Sequence, residues 1–146
     1  MNIDQVNQET GELSSRPENK SALYKALGTF QGKFKNPTKD AVNPYFNSRY
    51  ADLSSIWEAV RPTLAECGLT FFQMPSANAR AVTVIGVLAH ESGQTIESCM
   101  TLTAKDDTPQ AIGSAITYAR RYQLTSMLGI APENDDDDGN DAQGYT

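Results

Sequence analysis

A change of hydrophobic period at Gly68 constrains this chain more than any other feature. Before it, apolar residues recur at helical spacing; after it they gather in short β-branched and aromatic runs; beyond Pro109 the helical spacing returns. Leu23, Ala26, Leu27 and Phe30 mark a first helix, and Gly32 with the NPTKDAVNP stretch predicts its end. Leu53, Ile56, Trp57, Val60, Leu64 and Cys67 mark a second, capped by Asp52 and stopped by Gly68. Pro62 lies inside that stripe and predicts a kink or a restart, because it lacks an N–H and crowds the preceding turn. LTFFQM then reads as a short strand and PSANA as a turn. AVTVIGVLAH and TIESCMTLTA, joined by ESGQ, read as an antiparallel hairpin. Pro109 suits the first turn of a last helix that runs to about Leu128, before Gly129.

On a helical wheel, Ile112, Ala115, Ile116, Ala119, Tyr122 and Met127 form one apolar arc of that last helix. Ser114, Thr117, Arg121 and Thr125 lie opposite, with Arg120 at the boundary. The element order predicts an α+β fold: a three-stranded antiparallel sheet, or a hairpin-extended one, packed against helices on one side. The expected organisation is a flexible arm over 1–17, one folded domain over 18–131 and a flexible acidic tail over 132–146.

The formal charge of −6 argues against a nucleic-acid partner until its distribution is considered. Six of the 18 acids (Glu133, Asp135, Asp136, Asp137, Asp138 and Asp141) sit in the tail, and the other 12 balance the 12 Lys and Arg. Between 20 and 49 the bases Lys20, Lys25, Lys33, Lys35, Lys39 and Arg49 face the single acid Asp40. Local charge governs attraction to a phosphate chain, and the tail can compete with phosphates for that basic surface.

Several classes find no support. No run approaches the roughly 20 apolar residues of a membrane span, and MNIDQVNQETGELSS lacks the basic and apolar regions of a secretion signal. Cys67 and Cys99 read as reduced core thiols, and with His90 they cannot complete a four-ligand zinc site. His90, beside the ESGQ turn, reads as an exposed loop residue rather than a general base. Phosphate-loop, dinucleotide, zinc-protease and serine-hydrolase patterns are missing, and GSAITYARR lies in a helix instead of a phosphate-binding nest. Set against a calcium loop, ENDDDDGN places Tyr145 where a bidentate Glu belongs. The expectation is therefore no catalytic residue, metal or cofactor.

The constellation left over combines bases with aromatic rings. Arg49 lies between Phe46 and Tyr50, Arg120 and Arg121 lie between Tyr118 and Tyr122, and Lys33 and Lys35 belong to the basic segment. Arginine offers a rigid fork to phosphate, while aromatic rings stack on bases of any sequence. The candidate DNA-binding residues are thus Arg49, Tyr50, Lys33, Lys35, Tyr118, Arg120 and Arg121. The same rings could serve the core or a subunit contact, and either arginine could pair with an acid of a neighbouring subunit.

Two segments carry a resemblance. NPYFNSRYADLSSIWEAVRPTLAECGL at 43–69 and TPQAIGSAITYARRYQLTSMLGIAPENDDDDG at 108–139 resemble the ERF family of phage and prophage single-strand annealing recombinases. The matching positions are Asn43, Pro44, Phe46, Arg49, Tyr50, Asp52 and Leu53, then Gln110, Gly113, Ser114, Tyr118, Arg120, Arg121 and Tyr122, with Gly129 closing the helix. The resemblance implies ATP-independent annealing of complementary single strands in homologous recombination, without catalysis. It further implies a core similar to the Rad52 type, a homo-oligomeric ring or filament, host or phage recombination partners, no membrane, and the cytoplasm of a bacterial host. Other classes stay open: an oligomeric scaffold without annealing activity, or a metal-dependent nuclease.

Overall fold

The ends of each helix are set by short-range chemistry. In this computed structural model, which describes residues 19–35 and 52–131, the elements run α1 (Ser21–Lys33), α2 (Leu53–Glu66), β1 (Leu69–Asn78), β2 (Ala81–His90), β3 (Thr95–Thr103) and α3 (Pro109–Leu128). The Asp52 carboxylate accepts the Ser55 amide at 2.7 Å and caps α2. Gly68 and Gly129 adopt φ of 69° and 67° just beyond α2 and α3, the left-handed turn that glycine takes without steric cost. Thr108 caps α3, its hydroxyl accepting the Ala111 amide at 3.2 Å, and Pro109 occupies the first turn.

Three boundaries differ from the sequence reading. Helix α1 passes through Gly32 to Lys33: the Phe34 amide donates to the Phe30 carbonyl at 2.8 Å, and the two rings stack at 5.4 Å. Packing of Phe34 outweighs the weak helix propensity of glycine. Pro62 does not restart α2, which is one element; the proline sits on its exposed side, where a carbonyl left unpaired meets water. The PSANA segment is mostly strand rather than turn, because β1 continues through Pro75 to Asn78. Pro75 is tolerated there since β1 is an edge strand, and the reversal falls to Ala79 and Arg80, with Ala79 at φ 52°.

The strands form an antiparallel meander in the order β1-β2-β3, with Phe71 opposite Leu88 and Leu88 opposite Ile96. This α+β arrangement matches the expected class. Alternate residues face the helices, where α3 lies over β2 and β3, α2 against β1 and α1 against β2. The main core joins Leu23, Phe30, Ile56, Val60, Leu88 and Leu128, and a smaller cluster holds Val82, Val84 and Ala119. The opposite sheet face exposes Phe72 (46%) and Met74 (48%). Cys99, expected in the core, is exposed on that open face because its register partner is Ile85; Cys67 is half-buried, and both thiols are free. His90 is likewise not a loop residue: it ends β2 half-buried, its Nδ1 2.9 Å from the Ser92 hydroxyl. Among the described residues no helix is long and apolar enough to cross a membrane. The expected arm, the tail, Arg49 and Tyr50 lie outside the described residues.

Candidate nucleic-acid interface

Helix α3 needs only one face to cover the sheet, and its other face carries the exposed residues Gly113, Ser114, Thr117 and Tyr118. Gly113, Ser114, Thr117, Tyr118 and Arg121 recur at the spacing that shares a helix face, and with Asp52 and Leu53 of the α2 start they line an open groove. An added Cβ at Gly113 would meet nothing within 4 Å, so the helix backbone is open to approach there. Tyr118 is 52% exposed and stands as a ridge between this groove and a second one lined by Lys105, Thr108, Gln110 and Ser114.

Arg121 is held at that ridge by rings. Its guanidinium carbon lies 5.7 Å from the Tyr118 ring centre and 4.8 Å from that of Tyr122, while the two rings meet at 4.6 Å with a 47° tilt. Such contacts orient the guanidinium over the ring faces. Two acids share these grooves, and both are engaged locally. Hydrogen bonds from Ser55 hold the Asp52 carboxyl below the usual carboxylate range. Bonds from the Thr108 hydroxyl and amide, at 2.5 and 2.9 Å, do the same for Asp106.

Arg120, at the wheel boundary, turns inward to a polar network that apolar periodicity cannot reveal. Gln123 is 1% exposed, yet its amide donates to the Val84 and Ser98 carbonyls at 2.9 and 3.0 Å, and its oxygen accepts from Gln73 at 2.9 Å. Gln73 donates in turn to the Arg120 carbonyl at 3.1 Å and accepts from Arg120 Nε at 3.4 Å. Gly86 makes room: a Cβ there would stand 2.6 Å from the Gln123 side chain and 2.8 Å from Met127 Sδ. Thr125, assigned by the wheel to the solvent side, is buried, with its hydroxyl satisfied by the Arg121 and Tyr122 carbonyls of its own helix at 3.2 Å. Tyr122 is half-buried and pairs with Tyr118 and Arg121 instead of closing the apolar arc.

The structure brings Tyr118, Arg120 and Arg121 together and sets Lys33 apart. Lys33 belongs to the last turn of α1, not to a loop, and its ammonium lies 3.9 Å from the Glu66 carboxylate at the far end of α2. At 1.5 Å per residue, that is about 20 Å along α2 from Leu53. Lys35 is exposed just beyond the same end of α1. Trp57, read only as part of an apolar stripe, also lines a cleft of about 480 Å³ along the β1 edge with Phe71, Phe72, Gln73 and Arg120. The sequence signal that was available for this cleft is the FFQ run opposite an Arg in the last helix. Among the described residues no three His, Cys, Asp or Glu side chains gather as a metal site would require.

Comparison with known proteins gives one match. The model of the ERF superfamily matches residues 23–146, which takes in every described helix and strand apart from the first two residues of α1. No curated protein and no solved structure matches the chain.

Proposed function

The chain belongs to the ERF superfamily, whose members serve phage recombination and strand annealing, and on that premise we propose that it binds single-stranded DNA and anneals complementary strands without ATP. The observation that carries this reading is Arg121, oriented by Tyr118 and Tyr122 on the face of α3 turned from the sheet, beside a groove of small and hydroxylic residues. A guanidinium there meets phosphate and the exposed ring meets a base, without regard to sequence. An annealing protein needs that indifference, since a strand read by its base edges could not pair. Assembly into a ring or filament is part of the same proposal. Many weak protomer contacts along one strand give useful avidity, and the open sheet face with Phe72 and Met74 is apolar surface that copies could share. The likeness to a Rad52-type core, the recombination partners and the bacterial host cytoplasm belong to this reading and rest on the family resemblance.

Arg121→Ala, alone and with Arg49→Ala, tests it. Arg121→Ala is expected to cost about 1–2 kcal/mol of folding stability through its ring contacts, to weaken single-strand binding across all sequences, and to lower the salt slope of binding by about one. Annealing of complementary oligonucleotides slows in parallel while assembly size is kept. Normal affinity and annealing in the double variant would remove the DNA role, and folded monomers would turn both arginines into subunit contacts. A labelled strand shortened by the wild type in Mg²⁺ would favour the nuclease class instead.

A further inference from the structure

We infer that the cleft at the edge of β1 takes one unstacked nucleobase of a single strand, with Arg120 meeting its phosphate; the inference rests on the single-strand reading above. The cleft lies where the sheet edge meets the start of α2 and the middle of α3, so consecutive residues Phe71, Phe72 and Gln73 all reach it. Its volume of about 480 Å³ falls within the range of small-ligand clefts, roughly 300–1,000 Å³. Trp57 supplies a ring face, Leu53 and Leu124 apolar walls, and Gln73 a polar edge.

Arg120 decides between occupants. It is half-buried, tethered at Nε by Gln73, and among the described residues no carboxylate pairs with it. An apolar side chain seated in the cleft would seal an uncompensated charge beneath it, at high cost. A nucleotide instead brings a ring for the aromatic walls and an anion for the guanidinium. The cleft also adjoins the groove beside Arg121, since Leu53 lines both. A strand laid along α3 can therefore turn a base in past Leu53. Duplex cannot do so without breaking a pair, and the base must leave the cleft as pairing proceeds. Preference for single strands and release of the annealed product then share one cause.

Trp57 is the only tryptophan in the chain, so its emission reports on the cleft directly. The experiment uses the full chain and two dye-labelled strands of equal length, one of thymidines and one abasic, with anisotropy reading binding and Trp57 emission reading occupancy. The thymidine strand is expected to quench Trp57. The abasic strand, equal in charge, leaves emission unchanged and binds roughly a hundredfold more weakly, the scale of losing two stacking contacts, one in the cleft and one at Tyr118. Trp57→Leu, which keeps an apolar side chain against the core, weakens thymidine binding roughly tenfold by anisotropy and leaves abasic binding as it was. Strands that bind equally, with Trp57 emission unchanged, overturn the cleft and leave single-strand binding standing. Binding of neither strand overturns both readings. Trp57→Leu protein that changes assembly size with intact DNA affinity assigns the cleft to a protein contact and overturns the inference.

Discussion

The two ends of the sheet are covered in different ways. At one end, α1, α2 and the last turns of α3 close over Leu69, Phe71 and Leu88, and Phe30, Ile56 and Leu128 are fully buried. At the other, α3 alone covers Val82 and Val84, with Ala119 as its one fully buried contact and Ile112, Ala115 and Ile116 only partly covered. A polar belt of Gly86, Ser98, Gln73 and Gln123 separates the two. A thick apolar end supplies stability. Among the described residues, the thin end leaves α3 with one face that no strand covers, and the two grooves flanking Tyr118 open there.

The sharpest way to break this contrast is to hollow out each end. Phe30→Ala should cost about 3–5 kcal/mol, while Val82→Ala, which removes two methyl groups at roughly 0.8 kcal/mol each, should cost about 2 kcal/mol. Urea unfolding measures both, and a Val82 variant as damaged as the Phe30 variant would make the thin end the true keystone. Gly86→Ala tests the belt between them. Its methyl group would collide with Gln123 and Met127, for an expected loss of about 1–3 kcal/mol; an unchanged unfolding midpoint would show that the belt yields freely.

The smallest effect belongs to the α2 cap. Asp52→Ala should cost about 1 kcal/mol. Because the carboxyl of Asp52 is held below its ordinary value of 3.8, its contribution is in full force above that value and is lost as pH falls through the lower, folded one. The stability difference between wild type and variant should therefore be flat near neutrality and close only in acid. A difference that instead closed between pH 5 and 7 would assign the cap energy to some other group.

What the sequence disclosed divides along the same physical line. Asp52, Gly68, ESGQ, Pro109 and Gly129 act through their nearest neighbours, and each placed its boundary correctly. Pro75 misled because its cost depends on whether its strand is an edge, which only the sheet order decides. Gln123 and Thr125 were invisible to a period that counts apolar residues, since each is a polar side chain buried with its hydrogen bonds satisfied. Of the candidate site, the Tyr118–Arg121 pairing was legible from spacing along one helix. The tie from Arg120 to Gln73 was not, because it joins residues 47 apart whose meeting depends on how α3 crosses the sheet.

The meander has a consequence for how the chain reaches this state. Its strands pair in the order of synthesis through two tight reversals, so both hairpins close short loops and can zip early. The junction of α1 with the end of α3 is the opposite case: the Gln31 side chain donates to the Leu128 carbonyl across 97 residues, and the same side chain packs against Gly129. That seam must wait for nearly the whole domain and carries the largest loop-closure entropy among these contacts. Loosening it should leave the rate of folding almost untouched and speed unfolding, so α1 is the latch that sets how long the assembled domain lasts.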